Sequence, residues 1–125
     1  MNPLLERSAL ALAGAVRRGE VSATELVEVH IARHQEMAPR IAALAADRFE
    51  AARREAAAAD ERVRLSEGAG ERLPALLGVP FTVKESIALR GMPHSAGLLA
   101  RGEFRAEDTA PPVQALITPA RFPSG

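Results

Sequence analysis

The polar stretch 66–74, Ser-Glu-Gly-Ala-Gly-Glu-Arg-Leu-Pro, separates two kinds of chain, and that contrast limits the fold more than any other feature. Before it the pattern is helical. Leu5, Leu12 and Val16 recur at near-helical spacing over 4–18, with Gly19 placed to stop the helix. Ser22-Ala-Thr-Glu25 has the Ser-x-x-Glu form of a capping box and predicts a second helix running to about Met37, before Pro39. Asp47-Arg-Phe-Glu50 repeats that form ahead of an Ala-rich third helix reaching about Leu65. After the polar stretch, short apolar pieces are broken by Gly and Pro. Val79, Phe81 and Val83 alternate with Pro80, Thr82 and Lys84, which predicts a strand with Lys84 on the face opposite Phe81 and Val83. A single strand cannot satisfy its own backbone donors and acceptors. Three helices followed by one strand therefore read as the beginning of something larger.

Composition narrows the function. The 125 residues suffice for at most one domain. Sixteen basic and sixteen acidic residues cancel without forming a block of either sign, so no nucleic-acid or membrane partner is expected. The absence of Cys excludes disulfides, thiolate nucleophiles and Cys-type zinc sites, and fits a reducing, cytoplasmic setting. Ala9 to Val16 is apolar, but Glu6 balances Arg7 ahead of it and Arg17-Arg18 end it, so no secretory leader is expected. No run reaches the roughly 18 apolar residues of a membrane span.

Lys84 stands out because all the other basic residues among the sixteen are Arg. A lysine at the end of a buried strand becomes a general base only if desolvation or neighbouring charge lowers its pKa; otherwise it simply reaches solvent. His30 and His34 lie four apart on the second helix, a spacing that suits a shared metal, yet His94 is the sole further candidate ligand. Two partly exposed helix histidines are the simpler reading, and no metal or cofactor is expected. Asp60 and Glu61 read as the solvated face of the third helix, and its alanines as close helix packing rather than a partner surface.

Residues 76–98, Leu-Leu-Gly-Val-Pro-Phe-Thr-Val-Lys-Glu-Ser-Ile-Ala-Leu-Arg-Gly-Met-Pro-His-Ser-Ala-Gly-Leu, resemble the segment of the amidase signature family written Leu-x-Gly-Val/Ile-Pro-x-x-Val-Lys-Asp/Glu, followed by Gly-x-x-Thr-Thr-x-Gly. Ser22 to Leu26 resembles the family's early Ser-x-x-Glu-Leu helix start, and 107–116 its Asp-Ala-x-x-Val-x-x-Leu helix start. The resemblance covers 4–116. Glu85 stands where Asp is common, and His94-Ser95 replaces the Thr-Thr pair.

The resemblance implies an α/β/α fold around a mixed sheet, of which 1–116 would be the N-terminal portion, incomplete by itself. It also implies hydrolysis of carbon-nitrogen amide bonds by a Ser, cis-Ser, Lys triad, with Lys84 as the catalytic lysine and a small-molecule amide as substrate. Arg could not replace it, because a guanidinium is effectively never a neutral base. The two serines of that family lie in Gly/Ser-rich segments C-terminal to the part matched here. A lone positioned base supplies only about 10² to 10⁴-fold, so the chain alone is expected to be inactive.

Residues 117–125 read as an aberrant tail. The family word Ala-Gly-Ala-Ile-Pro-Leu-Gly-Val-Thr, written in G/C-rich codons and read one base late, gives Pro-Ala-Arg-Phe-Pro-Ser-Gly and a stop, which matches Pro119 to Gly125. A frameshift near Ile117 is the expectation. Two rivals accompany this reading. One is a small helical interaction module without catalysis, which predicts a cooperative, monodisperse chain. The other is a fragment of the amidase-type component of the tRNA-dependent amidotransferase. The oligomeric state is left open.

Overall fold

The computed structural model describes residues 1–67 and 72–117. The chain divides into two compact units, Met1–Pro80 and Phe81–Gly125.

In the first unit the expected opening helix is broken in two. A 3-10 turn, Pro3–Glu6, is followed by α1, Ala9–Arg17. The break falls at Ser8 because its hydroxyl accepts the Ala11 amide at 3.1 Å, which fixes Ser8 in an extended conformation as the cap. At the other end Gly19, with φ 72°, reverses the chain. Its amide donates to the Val16 carbonyl at 3.1 Å and the Glu20 amide donates to Ala15 at 2.9 Å, the paired bonds of a Schellman stop.

The second helix, α2, Ala23–Met37, keeps its expected bounds, with the Ser22 hydroxyl accepting the Glu25 amide at 2.9 Å. The third, α3, Phe49–Ser66, is not capped by Asp47 as the Asp-Arg-Phe-Glu pattern suggests. Arg48 occupies the cap position without a side-chain bond, while the Asp47 carboxylate accepts the Phe49 amide at 3.2 Å from one residue further out.

The helices α2 and α3 pack through small residues. Ala23, Val27 and Ile31 meet Ala56 and Ala59, with Phe49, Ala52 and Leu77 at the margin. A second cluster joins Leu12, Ala15, Val16, Val21, Leu26 and Val63. Leu26 and Val16 are its largest fully enclosed side chains. Gly78, at φ 83°, lies against this core, where a Cβ would come within 3.0 Å of both Ala23 Cβ and Val16 Cγ1. Two independent constraints, conformation and space, thus require glycine there.

Asp60 corrects the expectation of a solvated face. Its carboxylate accepts the Ala23 amide at 2.6 Å, the Thr24 amide at 3.1 Å and the Thr24 hydroxyl at 2.6 Å. It is a cap for α2 supplied by α3, and it satisfies donors that no intrahelical carbonyl can reach. Glu61 does face solvent, paired with Arg64 on its own helix.

The expected first strand of a mixed sheet is not seen. Among the described residues there are helices and no strand; residues 81–84 are irregular. The Leu77 amide donates to Pro74 and the Val79 amide to Leu76, each at 3.1 Å, so the approach to Pro80 is a run of turns in the first unit. Pro80 has no amide to give, and among the described residues no strand lies alongside 79–84, so the alternating pattern forms no ladder here. The burial does not alternate either, and Phe81 is 49% exposed. Among the described residues, β-like pairing is confined to a bridge between Pro93 and Arg105, flanked by bonds from Gly91 to Ala106, Ala106 to Met92 and His94 to Phe104. The final helix, α4, Pro111–Ile117, starts on two prolines, which lack the amides a first turn leaves unpaired. The tail beyond 117 lies outside the described residues.

Candidate active site

Lys84 sits on a turn, exposed, with its carbonyl accepting the Ile87 amide at 2.8 Å. The alternating pattern places it at a strand end; the structure places it at the first position of the turn Lys84–Ile87.

That turn is tied to the loop 93–97 at two points. The Glu85 carboxylate accepts the Ser95 backbone amide. The His94 ring, protonated at Nε2, donates to the Ser86 carbonyl at 3.2 Å. Ala96, at φ 53°, and Gly97, at φ 80°, both adopt the left-handed conformation, and the Gly97 amide donates to the Ser95 hydroxyl at 3.2 Å.

The electrostatics follow. The Ser95 amide, chiefly, holds the Glu85 carboxyl below the usual carboxylate range against the opposing effect of desolvation, with the Ser95 hydroxyl, the Ala96 amide and His94 assisting. The loop is braced from behind. His94 lies obliquely against Phe104 with ring centres 5.9 Å apart, and the Arg101 guanidinium stands 4.5 Å from the centre of the Phe104 ring. The Arg90 amide donates to the Thr109 hydroxyl at 3.1 Å, and the Ala110 amide to the Ala88 carbonyl at 2.9 Å.

Sequence reasoning singles out Lys84 but misses this clamp. The available signal was the coincidence of two departures from the amidase pattern, Glu85 and His94-Ser95, which the fold brings into contact. The histidine pair does something else: His30 Nδ1 donates to the Leu26 carbonyl at 2.8 Å, within its own helix. Among the described residues no group of three or more His, Asp or Glu side chains could hold a metal. No helix among them is long and apolar enough to cross a membrane.

The family model described as Amidase matches residues 25–118. This chain belongs to the amidase family. It is 49% identical to fatty-acid amide hydrolase 2-B of Danio rerio over 99% of its own length and 24% of the relative's. It is 36% identical to indoleacetamide hydrolase of Bradyrhizobium diazoefficiens over 91% of its length and 21% of the relative's. Similarity extends to a glutamyl-tRNA(Gln) amidotransferase component of Salinispora arenicola, 39% identical over 78% of this chain and 19% of that one. The chain thus spans about a quarter or less of the length of these relatives.

Proposed function

We propose that the chain is the N-terminal portion, 1–116, of an amide hydrolase in which Lys84 is the general base. The observation that carries this reading is the stretch Gly78-Val79-Pro80 followed by Val83-Lys84-Glu85, within the family match. Lys84 takes a proton, through a cis-Ser hydroxyl, from a nucleophilic serine. The serine oxygen attacks the amide carbonyl carbon, the carbon-nitrogen bond breaks, and Lys84 returns the proton to the leaving amine by the same relay. Water then releases the acid from the acyl-serine. Both serines belong to segments other than the residues here, so Lys84 needs them, and the desolvation they bring, to act.

The substrate class we favour is a small-molecule fatty-acid amide, supported by higher identity to a fatty-acid amide hydrolase than to an indoleacetamide hydrolase or an amidotransferase component. We place the protein in the cytoplasm on its lack of Cys. The aberrant reading of 117–125 is part of the same proposal.

The test is to read the coding DNA from the Val113 codon to several hundred bases downstream and express the frame that continues the family pattern. Hydrolysis of a long-chain primary amide, lost in Lys84→Ala and in Lys84→Arg, supports the proposal. Hydrolysis that survives Lys84→Ala removes Lys84 from the mechanism. Absence of any Gly/Ser-rich continuation in either frame removes the amide-hydrolase reading of this gene.

A further inference from the structure

The side chain that links the turn carrying Lys84 to the loop 93–97 is an acceptor with its own built receptor. Glu85 is half-buried, and its carboxylate accepts the Ser95 backbone amide. A carboxylate satisfied in this way has few other orientations open to it. The adjacent residue is constrained from the opposite side, where Ser86 accepts from His94. The turn therefore has two anchors on consecutive residues, and the residue immediately before them is Lys84, itself bonded through its carbonyl to Ile87.

We propose that Glu85 is a positioning residue for Lys84: held by the Ser95 amide, it fixes the backbone of the turn and so the direction in which the Lys84 side chain leaves it. This rests on the reading of Lys84 as the base. Glu at 85 carries one methylene more than Asp, and its carboxylate ends on the Ser95 backbone amide. A base that relays protons through a second hydroxyl must be held to within a fraction of an ångström, and an exposed lysine on a flexible four-carbon stem has no such restraint of its own.

The test uses the whole chain and exploits a property of this sequence: Lys84 is its only lysine, so lysine labelled with ¹⁵N at its backbone amide gives one signal from the turn itself. In the native chain that signal should be dispersed from its random-coil position, with the Ser95 amide protected from exchange. In Glu85→Ala the signal should collapse to the random-coil position and the Ser95 amide should lose about tenfold or more of its protection. Glu85→Gln, which keeps an acceptor oxygen, should recover part of both. The Ala23 and Thr24 amides, capped by Asp60, report whether the first unit is still folded in each variant.

A second measurement needs no substitution. Acidifying the native chain should release the clamp reversibly, moving the Lys84 signal and the Ser95 amide together at a pH below the usual carboxylate range; His94, the other titratable group facing Glu85, is followed through its own ring signals in the same spectra.

A Lys84 signal that stays put in Glu85→Ala, or that moves on acidification without the Ser95 amide, would overturn the proposal. No hydrolysis is required for either readout, so its failure is distinct from that of the amide-hydrolase reading, which Lys84→Arg tests in the expressed continuing frame.

Discussion

Met1–Pro80 encloses Leu12, Val16, Val21, Leu26, Val27, Ile31 and Val63 together with Ala13, Ala15, Ala23, Ala56 and Ala59, whereas among the described residues of Phe81–Gly125 only Ala106 and Val113 are buried. The second unit's larger apolar side chains are outside: Leu99 is 99% exposed, Leu98 58% and Phe81 49%. Its order comes from backbone bonds across 88–110 and from the Glu85 and His94 contacts. The difference shows two routes to a defined backbone. Apolar burial stabilises helices whose internal bonds are already satisfied, while a loop assembly depends on each polar group finding a partner, and every such bond contributes only about 1 kcal/mol net. The region bearing the candidate catalytic lysine is of the second kind, and active-site loops are commonly drawn from the less stable parts of a fold.

The sharpest way to break this contrast is Leu26→Ala. Leu26 is fully enclosed, and truncation should cost about 2–5 kcal/mol, seen as a lower denaturant midpoint for the helical signal. A loss well under that range would mean that the first unit is not held by its core. Gly78→Ala should follow at about 1–3 kcal/mol, because it combines a left-handed backbone with contacts at 3.0 Å to Val16 and Ala23. A neutral Gly78→Ala would show that the core yields there.

Asp60→Ala tests a polar contact on which the first unit leans in the manner of the second. Loss of the cap on α2 should cost about 1–2 kcal/mol, with faster exchange of the Ala23 and Thr24 amides. The smallest effect is expected from acidification. The folded carboxyl of Glu85 titrates below its unfolded value, so its contribution is present above the ordinary carboxylate pKa and is lost as pH falls through the lower, folded value. Amide exchange should show 94–97 loosening in that window, and Glu85→Gln should abolish the pH dependence of those amides.

The comparison also separates what can be read locally from what cannot. The bounds of α2 follow from Ser22, Glu25 and Pro39, all within a few residues of the ends they set. The close packing of α3 follows from its alanines, and Ala56 and Ala59 are indeed buried against α2. Asp60 escapes a local reading because nothing near it in sequence reveals that its receptor is a helix terminus 37 residues away. The strand expected at 79–84 fails for the converse reason: alternation describes a surface suited to a sheet, but a strand exists only where a second chain segment completes its bonds.

From sequence alone came the family, the isolation of Lys84 among arginines, the Ser22 cap of α2 and the Gly19 stop of α1, because each is written in residues adjacent in the chain. Tertiary structure alone decided that Lys84 stands on a turn, that Asp60 caps another helix, and that Glu85 meets the Ser95 amide. Those contacts join residues whose partners are fixed by where the backbone returns. A local pattern can specify a hydrogen-bonding group, but only the folded chain specifies what that group will face.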